Sequence, residues 1–410
     1  MVVLRLAAVA GIRLYRYFDS AEYDVLDFTG AARRPWTTPL LYRLVPGEEA
    51  SLVVAQALVG AIAFTVLAVA SHTWFRDRRV AATAALAVMA IGLVRPVTNW
   101  DATKLSESLA ISLTVLLIAA WAVLVRRPGW PAAAAVLFVA VPWVFVRQSL
   151  MPMAWLIAGL TIVAAVVTWR RGGATRVMAG LAVGLVALAG MATAYYGQNR
   201  EIVNHNLTVI VSERIAPVPE RRDFFERQGM PVPVSGDMGF VSLGEDEEFQ
   251  AWVDDTGQEV YARFLLMNPW YTFTEPIDDA LVAHPSWLDE ERHHPSMLSP
   301  PDPYGSSRSV LPEPMERIIY EPGSTGSVLF ALLVTAVWSL ARRRSADRRW
   351  AVSIGTIVLA VASIWIGWHG AVTELPRLAL VGAVVLRLGL VLQVGLLVEA
   401  ELGRRSARRS

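Results

Sequence analysis

The sequence predicts an all-α polytopic membrane protein of about ten transmembrane helices with an extracytoplasmic cap. Three observations lead there. The chain of 410 residues is 54% hydrophobic and only 18% charged, with a mean hydropathy of +0.43. A soluble domain rarely carries that excess, whereas a helix bundle solvated by lipid requires it. Tight arginine clusters recur in every second gap between apolar stretches: Arg76/Arg78/Arg79, Arg126/Arg127, Arg170/Arg171/Arg176, Arg342/Arg343/Arg344/Arg348/Arg349 and Arg404/Arg405/Arg408/Arg409. Acidic residues fill the gaps between, which is the positive-inside pattern. Finally, one long stretch, 197–325, switches to charge, proline and glycine.

A crossing takes about 20 apolar residues, with a usual range of about 17–25. Spans are predicted near 51–74, 80–95, 107–125, 130–146, 153–169, 177–196, 326–341, 350–368 and 378–399. Residues 1–15 make a tenth, short for a bilayer at about 1.5 Å per residue. The arginine rule places both termini in the cytoplasm and puts 16–50, 96–106, 147–152, 197–325 and 369–377 outside. Trp74, Trp100, Trp130, Trp143, Trp169, Trp350 and Trp368 fall near span ends, as an aromatic belt does. The organisation is thus an N-terminal membrane bundle, 1–196, with an acidic first outer loop at 16–50. A cap region follows at 197–325, then C-terminal helices and a basic tail at 326–410. In the cap, the acidic run Glu245 to Glu248 precedes Phe249, Trp252, Val253, Val260 and Phe264, whose spacing predicts one amphipathic helix over 245–267, ended by Asn268-Pro269. The Pro- and Ser-rich stretch 295–314 reads as irregular. No internal repeat is visible, which weakens an inverted-repeat transporter reading.

Lys104 is the only lysine. That arginine bias suggests a GC-rich bacterial genome, hence a multi-pass protein of a bacterial plasma membrane. Residues 1–14 carry Arg5 and Arg13 and lack a small-residue cleavage site, so no cleavable leader is expected. Without cysteine there is no disulfide and no cysteine metal site. The six histidines have no zinc-like spacing, and Asn206-Leu207-Thr208 reads as a chance sequon. Phosphate-binding glycine motifs are absent, and nucleic-acid binding has no support because topology explains the arginine clusters.

Four patches could carry chemistry. The first outer loop, Tyr17 to Phe28, packs Asp19, Glu22, Asp24 and Asp27 among aromatics, directly after a membrane segment. Glu22, Asp24 and Asp27 suggest a short interfacial helix with Asp19 or Ser20 as its N-cap. These acids are either solvated or, beside aromatic walls, a general base of raised pKa. Arg33 and Arg34 break the positive-inside trend; they suit a phosphate, or pair with Asp24 and Asp27. In the third patch Asp101 is expected to cap a helix, and Lys104 and Glu107 stand in its first turns, where they pair with each other or serve a site. The fourth patch combines Arg147 with His369, Glu374, Arg377 and Arg387. Arg387 falls about 15 Å into the last span. A buried arginine there needs a partner or a polar cavity.

Taken together, these patches resemble the GT-C superfamily of integral-membrane glycosyltransferases. The resemblance rests on Asp19-Ser20-Ala21-Glu22-Tyr23, on Arg34-Pro35-Trp36-Thr37-Thr38-Pro39-Leu40-Leu41, on Leu105-Ser106-Glu107-Ser108-Leu109 and on Glu374-Leu375-Pro376-Arg377. Ile215 to Glu220, Phe224-Phe225 and Gly229-Met230-Pro231 look similar to outer-domain sequence of actinobacterial members. The resemblance implies transfer of a sugar from a polyprenyl-phosphate donor to a glycan, lipid or protein acceptor of the cell envelope. It places the catalytic acid in the first outer loop: Asp19 matches best, Asp24 second, with Glu107 a further candidate. Arg34, Arg147, Glu374, Arg377 and Arg387 are the candidates for substrate binding. No cofactor is identifiable; the outer acids are compatible with a divalent metal but offer no ligand set. Two rival readings are a transporter or flippase of a lipid-linked substrate, with Arg387 as its intramembrane charge, and a non-catalytic relative that serves envelope assembly.

Overall fold

The computed structural model describes residues 1–17, 19–45, 47–168, 174–233, 236–280, 284–286, 289–294, 307–320, 349–372 and 375–407. The expected span at 326–341 and Glu374 lie outside these residues. The described chain is helical apart from one hairpin, β1 (His284–Ser286) against β2 (Asp289–His294). In chain order the helices are α1 (Val2–Val9), α2 (Thr37–Leu44), α3 (Glu49–Trp74), α4 (Arg78–Ile91), α5 (Arg95–Thr98), α6 (Glu107–Arg126), α7 (Trp130–Val144), α8 (Met151–Thr168) and α9 (Ala174–Tyr196). Then come α10 (Arg200–Ile210), α11 (Pro219–Arg227), α12 (Phe240–Glu245), α13 (Glu247–Trp252), α14 (Gln258–Met267), α15 (Pro269–Ala280), α16 (Glu313–Tyr320), α17 (Arg349–Gly370) and α18 (Leu375–Ala407).

Among the described residues, six helices are long and apolar enough to cross a bilayer, and α4 with α5 makes a seventh if that pair, bent by 55°, is one span. The six are α3, α6, α8, α9, α17 and α18. Ten is not reached. The helix at 130–144 has only 15 residues and carries Pro142 inside, which gives it about 22 Å of reach. Residues 1–15 do not span either. Their helix, α1, stops after 8 residues, and the chain turns at Gly11, where φ is +74°. It then runs extended to Tyr15, which bridges Thr103 in parallel. The reason is electrostatic: Arg5 is fully buried and takes Asp101 as its counter-ion, at 2.7 Å from Nε and 2.9 Å from Nη2. A third bond, to the Gly92 carbonyl at 2.8 Å, completes the guanidinium. Gly60 on α3 makes the room, because a Cβ there would lie 2.4 Å from Arg5 Cζ. Asp101 therefore does not cap α6.

The core is built by α3 against α4 and α6, α6 against α7, α8 against α9, and α17 against α18, with α6 touching both of the last pair. Close approach of α17 and α18 needs Gly382, whose added Cβ would stand 2.6 Å from Ile364 Cγ1 and 2.7 Å from the Ala360 carbonyl. Small residues at such contacts are the usual device for helix packing in lipid. At one end of the bundle Glu399 receives the Asp77 amide at 3.0 Å, the Arg76 amide, and Arg349 Nη2 at 2.6 Å. Arg76, Arg78, Arg79, Arg126, Arg127, Arg404 and Arg405 all lie at that end, where α3, α6 and α18 finish and α4 starts.

The other end carries residues 16–50 and the helices α10 to α15. The predicted helix over 245–267 is present as α13 and α14 joined by a π-turn at Val253–Gly257. It begins at Asp246, whose carboxylate receives the Phe249 amide at 2.8 Å, and it buries Phe249, Trp252, Val253, Val260 and Phe264. The layer is seated on the end of α17. There the Arg214 guanidinium stacks 3.6 Å over the Trp368 ring, and Tyr261 donates to the His369 carbonyl at 3.1 Å. Burial leaves Arg214 a weaker base than an ordinary arginine. Residues 307–320 form a strap across α1, α5 and α18. The Arg308 amide bonds the Ala8 carbonyl at 2.8 Å, Glu316 receives the Arg95 amide at 3.1 Å, and Arg387 Nε donates to the Ile319 carbonyl at 2.7 Å.

Candidate active site

The first loop is pinned to the start of α6 by its backbone. Tyr15 N donates to the Ala102 carbonyl at 2.7 Å and Lys104 N returns to the Tyr15 carbonyl at 2.9 Å. Ser20 closes the next turn, accepting from the Tyr17 amide at 2.7 Å and donating to the Lys104 carbonyl at 3.0 Å. A 3₁₀ turn follows over Ser20–Asp24. Asp19 stands at its N-cap position but makes no capping bond with its side chain, so the carboxylate points elsewhere.

It points at two arginines. Asp19 Oδ2 receives Arg34 Nη2 at 2.8 Å and Arg377 Nη2 at 3.1 Å. Arg34 also donates from Nε to Glu22 at 2.6 Å. Arg377, in the first turn of α18, gives its Nε to Glu107 Oε1 at 2.6 Å. Arg147, extended at the α7–α8 break, approaches the same oxygen at 3.5 Å. The result is an alternating ion-pair network, buried at Asp19, Arg377 and Glu107 and half-buried at its ends: Glu22, Arg34, Asp19, Arg377, Glu107, Arg147. Its three acids and three bases cancel in formal charge, which is the condition under which buried ions persist. Aromatic walls confine it. Arg34 lies 5.2 Å from the Tyr23 ring and Arg377 lies 5.1 Å from that of Tyr17. Tyr23 donates to Ser106 at 3.2 Å, and burial raises its pKa.

Of the thirteen buried side-chain polar atoms without a hydrogen-bond partner among the described residues, three belong to this ion-pair network: Asp19 Oδ1, Glu107 Oε2 and Arg147 Nη1. Buried groups of this kind are rare and call for an explanation. Two free carboxylate oxygens and one free guanidinium N–H form a set that can take a hydroxyl proton and hold an oxyanion. Among the described residues no three His, Asp or Glu side chains are placed to share a metal ion, and arginines compensate both buried carboxylates.

Farther along the bundle from the set opens an apolar groove of about 350 Å³ between α6, α8, α17 and α18. Its upper wall holds Thr114, Trp143 and Leu150, and its far end holds Val125, Met178 and Ala351. Thr114 is two turns below Glu107, about 10 Å along α6, and Leu150 follows Arg147 by one turn of 3₁₀ helix. The groove thus starts below the charged chain and runs down most of a span.

The structure brings together Asp19, Arg34, Glu107, Arg147 and Arg377. It leaves out two other candidates. Asp24 pairs with Lys104 at the surface, its side chain 58% exposed. Lys104 is therefore not paired with Glu107. Arg387 lies in the strap contact instead, with Nη1 on the Ala383 carbonyl at 2.9 Å and its guanidinium 4.3 Å over the Tyr320 ring. Burial holds the Tyr320 phenol at about 12. Arg33 pairs with Glu22 at 3.2 Å and with Glu201 of α10, tying the loop to the helical layer. Glu22 was visible only as one acid among four; its bond to Arg34 makes it part of the site.

Neither a family profile nor a curated protein sequence matches the chain. Solved structures do. The archaeal oligosaccharyltransferase AglB from Archaeoglobus fulgidus, in complex with an inhibitory peptide and a dolichol-phosphate, aligns with 100% of this chain and 51% of its own at a TM-score of 0.50 and 11% identity. A second structure of the Archaeoglobus fulgidus enzyme, tethered to an acceptor peptide containing the NVT sequon, aligns with 95% of this chain and 48% of its own at a TM-score of 0.43 and 13% identity. The chain thus spans about half the length of these proteins. The first likeness shows a shared multi-pass helical fold.

Proposed function

We propose that the protein is a membrane glycosyltransferase that moves a sugar from a polyprenyl-phosphate donor to an acceptor hydroxyl or amide at the loop end of the bundle. The observation that carries this reading is the trio of unpartnered buried atoms, Asp19 Oδ1, Glu107 Oε2 and Arg147 Nη1, above a groove lined by apolar side chains. The groove suits a polyprenyl tail, and the charged chain suits the phosphate and the reacting oxygen. Arg34 and Arg377 engage Asp19 through Oδ2, leaving Oδ1 to accept the acceptor's proton. The acceptor atom bonds to the anomeric carbon while the bond from that carbon to the phosphate oxygen breaks. Arg147 and Arg377 then meet the charge growing on the leaving phosphate, a contact worth more in the transition state than before it. Fold likeness to an oligosaccharyltransferase whose structure holds a dolichol-phosphate supports a lipid-linked donor. Arginines gathered at the opposite end, Arg404 and Arg405 of α18 among them, support an extracytoplasmic site, a cap made by 197–325, and a cytoplasmic C-terminus in a bacterial plasma membrane. The flippase reading relied on Arg387 as a substrate charge, and the guanidinium's bonds to backbone carbonyls take that basis away. The test is transfer of label from polyprenyl-phosphate-linked sugars to peptide, glycan and lipid acceptors in proteoliposomes of the purified protein. Transfer to any of them supports the proposal; none from any donor, with folded protein, refutes it.

A further inference from the structure

Helix α15 is amphipathic in the wrong sense for water. Its inward face, where Tyr271 and Pro276 are buried, also carries the polar contacts of the helix. The Thr272 carbonyl receives Trp365 Nε1 at 3.1 Å and His369 Nε2 at 2.9 Å. Glu275 takes Arg221 Nη2 at 2.5 Å, and Asp279 takes Trp368 Nε1 at 2.7 Å. Its outward face is apolar: Trp270 is 80% exposed, Phe273 61% and Ile277 49%, with Leu266 at 83% just before the helix begins. At 100° per residue these side chains fall within one narrow stripe, opposite Thr272 and Asp279. The neighbouring α11 shows what a water-facing helix of the same layer looks like, since its exposed positions after Pro219 are Glu220, Asp223 and Arg227.

The height of α15 is fixed by what it grips. Trp365, Trp368 and His369 belong to the last two turns of the spanning helix α17, which ends at Gly370. Trp365 is about 7.5 Å below that end at the usual rise. A helix held there, parallel contacts inward and apolar side chains outward, is at the depth where a bilayer changes from headgroup to acyl chain.

The geometry points to α15 as an interfacial foot whose Trp270, Phe273 and Ile277 enter the lipid leaflet at the loop end, setting the depth and tilt of the helical layer above the site. The partner is a lipid surface, continuous with the lipid that surrounds α17. Its attraction is apolar and not electrostatic, because the charged residues of α15 are Glu275, Asp278 and Asp279 and none is basic.

The chain has no cysteine, so single spin labels report one site each. Labels at Trp270→Cys, Phe273→Cys and Ile277→Cys, with Asp278→Cys as the control, are introduced into protein in liposomes, and monodisperse elution certifies folding. At 270, 273 and 277 oxygen should collide more often than a water-soluble nickel chelate, at a depth of about 5–10 Å; at 278 the order should reverse. The three depths should not change with the fraction of anionic lipid. A second readout needs no label: Trp270→Ala should reduce the quenching of tryptophan emission by brominated lipid. Nickel access exceeding oxygen access at all three positions overturns the proposal. So does dipolar broadening between labels that disappears on dilution into excess lipid, because a second copy would then cover the stripe.

Discussion

Arg377 is the group on which the ion-pair network depends most. It donates one bond to Glu107 at 2.6 Å and one to Asp19 at 3.1 Å, with side chains only 8%, 0% and 3% exposed respectively. Each charge-assisted bond is worth about 1.5–3 kcal/mol, so the pair amounts to about 3–6 kcal/mol in gross terms. Replacing Arg377 by methionine leaves the remaining set at one net negative charge, with Glu107 facing only the 3.5 Å contact to Arg147. Removing one partner of a buried pair typically costs about 3–5 kcal/mol, and that is the loss expected for Arg377→Met. Most of it reflects the stranded carboxylates and not the pair itself. A second change that removes the stranded charge, Glu107→Gln, should therefore restore part of the loss. In a double-mutant cycle the combined cost should fall short of the sum by about 1–3 kcal/mol. Reversible unfolding in mixed micelles, followed by tryptophan emission, supplies the four free energies. Additive costs, or an Arg377→Met protein as stable as the parent, would refute the claim that these charges form one coupled unit.

Other consequences follow from single contacts. Filling the groove at Gly355, where an added Cβ meets open space, should spare the fold; Gly355→Trp is expected to raise KM for a lipid donor about tenfold, about 1.4 kcal/mol, with kcat held. A short-chain, water-soluble donor should show no such change. Gly60→Val must displace Arg5 and is expected to cost about 1–3 kcal/mol; a neutral result would mean that Arg5 is not confined as described. Asp27 is held down to about 2 by the Thr29 hydroxyl first, then by the Thr29 and Ala32 amides. Because its folded pKa is depressed, its contribution to the order of this turn is complete above the ordinary value of 3.8 and is lost as pH falls through about 2. A spin label at Ala31→Cys should gain mobility across that window, and Asp27→Asn should abolish the step.

Long apolar runs made most of the fold legible, since a run such as 51–74 has only one stable use in lipid. The arginine clusters marked correctly which ends of the helices lie together. Residues 1–15 misled because apolar content was weighed above Arg5, whose counter-ion Asp101 is 96 residues away and has no signature in spacing. The same argument from cost found the candidate site: charges beside a bilayer need partners, and Asp19, Arg34, Glu107, Arg147 and Arg377 prove to be each other's. The same argument grouped Arg387 with them, but its guanidinium lies apart and bonds the carbonyls of Ile319 in α16 and Ala383 in α18, contacts that no sequence pattern announces. Which acid of the first loop faces inward was also hidden, because Ser20 takes the turn-closing role that Asp19 could have filled.

The central claim is that the free oxygen of Asp19 takes the acceptor's proton. Asp19→Asn keeps the shape and a hydrogen-bond acceptor toward Arg34 and Arg377 while removing the charge. The decisive measurement is single-turnover transfer from a labelled polyprenyl-phosphate sugar, parent against Asp19→Asn, at equal amounts of protein that elutes and melts alike. The account predicts a loss of about 10²–10⁴-fold in the transfer step, the range that general-base catalysis supplies, with donor binding intact. Transfer at the parental rate by Asp19→Asn would contradict it.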